Sequence, residues 1–191
     1  AAGEEDVDDD CEDELFLERS GVRLYSEHGL RVMALHEIPV DGHVYVVPQG
    51  LHFVWPMHGV GHSFEPQTMK EQPVPGKPIR LIQISESPRA FTIENFMNPE
   101  EMKALIDSNR KRVTPSEVGF AGKTDSTRTS STSWDFNSKA AKRVQKRAFD
   151  VVGWEYDAGL ADAVQVLNYE KEQWYKPHTD WFDAKSYKGH D

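Results

Sequence analysis

The chain has 191 residues, of which 38% are hydrophobic and 10% aromatic, so it can bury a core and is not a disordered sequence. Its formal net charge of −10 at pH 7 argues against binding to nucleic acid, whose phosphate backbone requires clustered Lys and Arg. Much of this charge lies in residues 4–14, and we expect residues 1–20 to form a solvated, disordered tail. The single cysteine, Cys11, excludes an intrachain disulfide.

The first residue is not Met, and no apolar run approaches the length of a membrane span. We therefore interpret the chain as a piece of a longer protein, cut at both ends. A membrane anchor would have to lie outside it.

Residues 21–80 predict a β-rich extension. A turn at residues 48–50 predicts that the runs on either side of it form a hairpin. Residues 65–78 carry four prolines and one glycine, which indicates a linker or an extended strap. The β-branched and aromatic runs that predict strands are residues 22–25, 31–35, 43–47 and 51–55.

Residues 81–191 read as a second unit. After predicted strands at 79–84 and 90–95, Asn98, Pro99 and Glu101 form a strong helix start with a capping box. The predicted buried stripe of this helix is Met102, Leu105 and Ile106. A polar loop over 114–133, a helix over 137–152 that ends at Gly153, and a strand over 164–169 follow.

The predicted strand at 164–169 leads into an aromatic segment that contains His178 and Asp180. Residues i and i+2 of a strand share a face, so the imidazole and the carboxylate would project together. One nitrogen and one oxygen ligand are two thirds of the facial triad that binds non-haem Fe(II). The alternative is an aromatic edge strand in which a half-buried His178 bonds to Asp180.

The other candidate residues permit plainer interpretations. His58 and His62 have a spacing that shares a metal on a helix, but Gly59 and Gly61 make a helix there unfavourable. We assign them structural roles, together with His36, His43 and His52. The segment 125–134 is either a hydrophilic surface loop or a strap that lays Arg128 and Trp134 against an extended ligand.

Taken together, these residues resemble the prolyl 4-hydroxylase family of Fe(II)/2-oxoglutarate dioxygenases over about residues 87–182. The order of several motifs is far more specific than His178 and Asp180 alone. The motifs are Pro88-Arg89, Asn95-Phe96-Met97, the capped helix from Asn98, Arg128-Thr129-Ser130 with Trp134 downstream, Gln165 to Tyr169, Gln173, Tyr175, Pro177, His178, Asp180 and Phe182.

The resemblance implies a role for each matching residue. His178 and Asp180 match the first two Fe(II) ligands, and the Tyr169 hydroxyl matches a group that holds the distal carboxylate of 2-oxoglutarate. The resemblance also implies ascorbate as a cofactor. Positions near the peptide groove are matched by Arg128, Ser130, Trp134, Asp162 and Tyr175.

The chain departs from the family in three ways. Glu172 replaces a usual glycine, which affects the local turn more than the iron ligands, and Trp181 replaces a usual Tyr. The family's second His ligand and its 2-oxoglutarate-binding Lys fall beyond residue 191. We therefore expect residues 1–191 alone to bind iron weakly and to turn over nothing.

The fold that the resemblance implies is α+β. It is a double-stranded β-helix, or jelly roll, with supporting helices. Residues 81–191 would form its N-terminal half, and residues 21–80 an extension of unassigned role. The implied activity is that of a procollagen-proline 4-dioxygenase, which hydroxylates proline in proline-rich proteins of the endoplasmic reticulum or secretory pathway. The alternatives are a dioxygenase with another peptide or small-molecule substrate, and an inactive jelly roll that binds peptides.

Overall fold

A computed structural model of the chain describes residues 21–38, 40–117 and 126–178. The predicted tail at residues 1–20 lies outside the described residues. The described residues form a short 3₁₀ helix, Leu35–Glu37, and two α-helices, α1 (Pro99–Asn109) and α2 (Lys139–Val151). The strands are β1 (Arg23–Ser26), β2 (Arg31–Val32), β3 (Val44–Val47), β4 (Ser63–Phe64), β5 (Arg80–Ser85), β6 (Ala90–Glu94), β7 (Thr114–Pro115), β8 (Ser131–Asp135) and β9 (Val164–Asn168).

The strands of the described part form three antiparallel three-stranded sheets, with orders β2-β1-β3, β4-β5-β6 and β7-β8-β9. These sheets and the two helices confirm the α+β prediction in its coarse form. The jelly roll and the division into 21–80 and 81–191 stay predictions. Neither described helix is long and apolar enough to cross a bilayer.

The predicted hairpin between residues 43–47 and 51–55 is wrong. The turn is present, because the Leu51 amide donates to the Pro48 carbonyl at 3.2 Å, but β3 pairs with β1 instead. Residues 51–55 form no strand in the described structure. Their apolar alternation has another cause: Phe53 and Trp55 point into the core, while Val54 is exposed.

The larger apolar core joins the N-terminal residues to the rest of the described chain. Trp55 is central to it, and its indole N–H donates to the Val151 carbonyl at the end of α2, at 2.7 Å. The β-rich segment therefore packs directly on β5 and α2. The buried members of this core are Tyr25, Val47, Phe53, Trp55, Ile79, Leu81 and Val151.

The first turn of α1 forms the predicted capping box. The Asn98 side chain accepts a hydrogen bond from the Glu101 amide at 2.8 Å, and the Glu101 carboxylate accepts one from the Asn98 amide. The predicted buried stripe is only partly right, since Met102 is 44% exposed and Ile106 is 50% exposed. The face that packs inward carries Glu101, Leu105 and Asn109, because both polar residues have buried partners.

The partner of Glu101 is Arg147 of α2. The Arg147 guanidinium donates to both carboxylate oxygens, at 2.9 and 3.0 Å, and to the Phe96 carbonyl at 2.7 Å. It also reaches Glu71 in the proline-rich segment at 3.3 Å. Burial by itself raises the pKa of the Glu101 carboxyl, but the hydrogen bonds and charge of Arg147 and the Asn98 amide outweigh it and hold that pKa below its ordinary value.

Helix α2 ends where the sequence predicts. Gly153 has a φ of +70°, a left-handed conformation that glycine adopts without steric cost. Its amide donates to the Asp150 carbonyl and the Trp154 amide to the Phe149 carbonyl, both at 3.0 Å. These two bonds form a Schellman motif, which confirms Gly153 as the stop.

Replacing Arg147 with alanine should lower the free energy of unfolding by about 3 kcal/mol or more, because the Glu101 carboxylate is left buried and unpaired. The double variant Arg147→Met/Glu101→Gln should lose much less, since glutamine keeps the capping box and no charge remains buried. Urea denaturation measures both. Lys142→Ala, an exposed cation on the same helix, is the control. An equal loss for Lys142→Ala and Arg147→Ala would contradict the role of the pair.

Candidate functional site

The site is built on the antiparallel ladder between β8 and β9. Ser131 pairs with Asn168 at one end of the ladder and Asp135 with Val164 at the other. The Ser/Thr-rich start of β8 was predicted as part of a loop over 114–133. It forms a strand because β7 and β9 supply backbone partners on both of its sides. Residues 118–125 of that predicted loop lie outside the described residues.

The same two segments stay paired beyond the ladder. The Thr129 amide donates to the Trp174 carbonyl, and the Lys176 amide to the Thr127 carbonyl, each at 3.0 Å. Arg128 and Tyr175 form an isolated antiparallel bridge between them. Residues 45 or more positions apart are thereby held side by side.

Arg128, Tyr175 and His178 form a stack of side chains. The His178 and Tyr175 rings lie 3.7 Å apart between centroids at 25°, and the Arg128 guanidinium carbon lies 4.7 Å from the Tyr175 centroid. Because His178 covers one face of Tyr175 at van der Waals distance, the guanidinium lies on the other. The Nδ1 atom of His178 is 2.9 Å from the Lys176 carbonyl oxygen.

The Arg128 head group is held by two further residues, one of which is supported by a third. Its Nε donates to the Ser130 hydroxyl at 3.3 Å, and one of its terminal nitrogens donates to the Glu117 carbonyl at 3.2 Å. The buried Ser130 and Ser116 hydroxyls are 2.9 Å apart. This cluster fixes the cation against the Tyr175 ring.

Three other predicted site residues lie on or beside the ladder. Trp134 pairs with Gln165 and is 47% exposed, and Tyr169 directly follows β9 and is 43% exposed. Asp162 precedes β9 at the opposite end of the ladder from Arg128, and its carbonyl accepts a hydrogen bond from Gln145 at 2.6 Å. The structure thus brings Arg128, Ser130, Tyr175 and His178 into one cluster, with Trp134 and Tyr169 on exposed surface nearby in the chain.

Asp180, the predicted carboxylate ligand, lies outside the described residues, as do Trp181 and Phe182. Within residues 21–38, 40–117 and 126–178, no three His, Cys, Asp or Glu side chains are grouped so that they could hold a metal ion. Of the two predicted iron ligands, only His178 lies within the described residues. With Nδ1 donating to the Lys176 carbonyl, the lone pair of its neutral ring lies on Nε2.

A buried polar network that the sequence reasoning missed holds the end of β8. One oxygen of Asp135 accepts from Asn109 at 2.7 Å, and the other accepts from the amide of Ser138 at 2.9 Å. The Ser133 hydroxyl donates to Asn109 at 2.9 Å. Burial raises the pKa of Asp135, but hydrogen bonds from Ser138, Asn109 and Asn137 outweigh burial and lower it from 3.8 to about 2. An Asp three residues before a Ser N-cap was the signal in the sequence.

Glu172 sits in a tight turn between Glu170 and Gln173. The Gln173 amide donates to the Glu170 carbonyl at 3.1 Å, and the φ of Glu172 is +69°. This conformation favours glycine, and Glu172 is the position where the family resemblance implies a usual glycine. The turn that precedes Trp174 and Tyr175 therefore forms without the glycine, at the cost of local backbone strain.

Comparison with known proteins identifies relatives of one class. Probable prolyl 4-hydroxylase 3 of Arabidopsis thaliana is 34% identical over 105 residues, which are 52% of this chain and 36% of that protein. Prolyl 4-hydroxylase 1 of the same plant is 34% identical over 108 residues, covering 52% of this chain and 37% of the relative. Probable prolyl 4-hydroxylase 10 is 33% identical over 105 residues. The chain spans about a third of the length of the curated relatives it matches.

No family model matches the chain, and no solved structure matches it significantly. Six curated relatives match the chain, and their names indicate prolyl 4-hydroxylases, which are dioxygenases. They support the prolyl 4-hydroxylase family over about half of this chain, in agreement with the family resemblance of the sequence.

Lowering the pH should test the Asp135 network. A carboxyl whose pKa is lower in the folded state stabilises the fold above its unfolded pKa near 4 and loses that contribution as the pH falls toward 2. A shift from 3.8 to about 2 corresponds to about 2 kcal/mol. Asp135→Asn should lose stability at pH 7 and show a smaller decrease between pH 4 and 2 than the original chain. Urea titrations across this range measure it, and identical pH slopes would refute the assignment.

Replacing Glu172 with glycine should raise the free energy of unfolding by up to about 1 kcal/mol, because it relieves the left-handed strain. Glu170→Gly is the matched control, since it makes the same exchange two residues earlier at an ordinary φ and should be neutral or destabilising. Chemical denaturation of the two variants measures the difference. An equal loss of stability in both glycine variants would contradict the backbone strain assigned to Glu172.

Proposed function

We propose that this chain is part of an Fe(II)/2-oxoglutarate-dependent dioxygenase that hydroxylates peptidyl proline in proline-rich proteins. The names of the relatives support the reaction class, and the Arg128–Tyr175–His178 stack is the observation that carries the proposal in this chain. The parent protein would work in the endoplasmic reticulum or secretory pathway, as the family resemblance implies.

His178 and Asp180 would hold the iron. The imidazole fits this role because its Nδ1 contact with the Lys176 carbonyl orients the ring and leaves the lone pair on Nε2, the nitrogen that ligates. Asp180 would join it through the two-residue period of an extended segment. When held by these residues, iron would supply the oxidising chemistry together with 2-oxoglutarate and O₂. Ascorbate would serve as the reductant that the resemblance implies.

Tyr169 would bind 2-oxoglutarate. It follows β9 by one position, and its phenol is a hydrogen-bond donor that suits a carboxylate. Its partial exposure leaves the hydroxyl accessible to a small anion. The chain's contribution to this step is to bind and orient the co-substrate.

The substrate surface would be aromatic. Tyr175 lies directly against the imidazole that would hold iron, and His178 and Arg128 cover its two faces, so a peptide that contacts the edge of this ring would present a proline close to the metal. Proline-rich peptides adopt the polyproline II form and dock on aromatic-lined grooves. Trp134 offers a second exposed ring, and Arg128, Ser130 and Asp162 complete the proposed contact set. Arg128 would act by holding Tyr175 in place and by donating to peptide carbonyls.

The proposal is tested with the full-length protein that contains this chain. It is incubated with a proline-rich peptide, Fe(II), 2-oxoglutarate and ascorbate, and the peptide is analysed by mass spectrometry. The expected product carries one additional oxygen on proline. His178→Ala should lower the rate by at least about 100-fold, because an iron ligand is lost. His43→Ala, an exposed histidine of the β-rich segment, should leave the rate unchanged.

Three other results would contradict the proposal, and each would support a different conclusion. Succinate formation without peptide oxidation would indicate a dioxygenase with another substrate. Peptide binding without 2-oxoglutarate consumption would indicate an inactive binding module. Full activity of His178→Ala would show that the site has been misplaced.

A further inference from the structure

A second group of histidines lies far along the chain from the proposed iron site. The His58 and His62 rings have centroids 4.6 Å apart, tilted by 43°. As the glycines predict, these residues form no helix. Instead, the His62 amide donates to the Gly59 carbonyl at 3.1 Å, and this turn brings the two imidazoles together. The two imidazoles are therefore brought side by side by a turn and not by a helix.

The turn is held firmly by Gln83 of β5, which is 1% exposed. The side-chain oxygen of Gln83 accepts from the His58 amide at 3.0 Å and the Gly59 amide at 3.2 Å. The Gln83 backbone bonds to Gly61 at 2.8 Å and to His62 at 2.9 Å. The backbone that carries the two imidazoles is thereby preorganised, which lowers the entropy lost when they bind a shared ligand.

The electrostatics beside the turn favour a cation. His58 and His62 line a cavity of about 770 Å³, together with His28 and two carboxylates, Glu27 and Glu65. Among the described residues that line this cavity, none is Lys or Arg. Two guanidinium groups lie outside the lining: Arg80 contacts Glu65 at 3.4 Å, and Arg89 donates to the Trp55 carbonyl at 3.3 Å.

We propose that His58 and His62 form a binding site for a divalent transition metal, with Cu²⁺ preferred. A metal about 2.0 Å from one nitrogen of each ring lies about 3.2 Å from each ring centroid. Two centroids 4.6 Å apart then subtend an angle of about 90° at the metal. This angle suits adjacent positions in the tetragonal geometry of Cu²⁺ or Ni²⁺ better than the wider angle of tetrahedral Zn²⁺.

The remaining coordination positions would be filled by water. No third described His, Cys, Asp or Glu is grouped with the pair so as to complete a protein-only shell. Both rings are exposed, so rotation of the side chains suffices to turn one nitrogen of each toward the metal. Neutral imidazole is the ligand that Cu²⁺ prefers among those present, and the carboxylates add long-range attraction.

The test is a titration of the chain with Cu²⁺ at pH 7.5, in which binding is measured by isothermal calorimetry and the copper ligands by electron paramagnetic resonance. We expect one site per chain whose spectrum shows two equatorial imidazole nitrogens. His58→Ala and His62→Ala should each weaken this site by about tenfold or more and remove one nitrogen from the spectrum. His58→Gln provides a second variant that keeps a polar side chain of similar length.

Two controls separate this site from the others. His43→Ala should bind Cu²⁺ as the original chain does, and His178→Ala should keep the two-nitrogen signal because the proposed iron site is elsewhere. The inference is overturned if His58→Ala and His62→Ala, shown to be folded by circular dichroism, bind Cu²⁺ with unchanged affinity and spectrum. It is also overturned if the two-nitrogen signal disappears in His178→Ala alone.

Discussion

Four parts of the chain meet at the buried ion pair of Arg147 and Glu101. Glu101 belongs to the capping box of α1, and Arg147 belongs to α2. The other two parts are Phe96, which lies between β6 and α1, and Glu71 of the proline-rich segment. Such a pair contributes little net energy over an apolar replacement, but removal of one partner is costly. Its consequence is therefore geometric: it permits one arrangement of the two helices and penalises the others.

The network around Asp135 carries that arrangement to the candidate site. Asp135 receives hydrogen bonds from Asn109 at the end of α1 and from the amides of Asn137 and Ser138, which directly precede α2. Since Asp135 is also the last residue of β8, the helices set the position of the strand, and the strand leads back to Arg128. Buried polar groups with complete partners define a unique geometry better than apolar contacts of the same area.

Much of the site could be predicted because its residues are close in sequence or match a family pattern. His178, Tyr175 and Arg128 were identified from motifs, and the structure puts them in contact. The roles of Asn109 and Asp135 could not be predicted in this way, because their function depends on partners 26 positions apart. Met102 and Ile106, which are exposed, show the same limit. The spacing of apolar residues does not reveal that Glu101 and Asn109 have buried hydrogen-bond partners.

The pair of His58 and His62 is a further example of the same limit. Glycines correctly excluded a helix, but whether a turn would bring two imidazoles together depended on Gln83, more than 20 residues downstream.

By itself the sequence determined the local features: the capping box at Asn98, the stop at Gly153, strands β5, β6 and β9, and the motifs that resemble the prolyl 4-hydroxylase family. These depend on hydrogen bonds and steric preferences within a few residues. Only the tertiary structure decided that β3 pairs with β1, that Trp55 packs on α2, and that Arg128 faces Tyr175. These contacts join distant residues, and their free energy depends on how the whole chain excludes water and satisfies its buried polar groups.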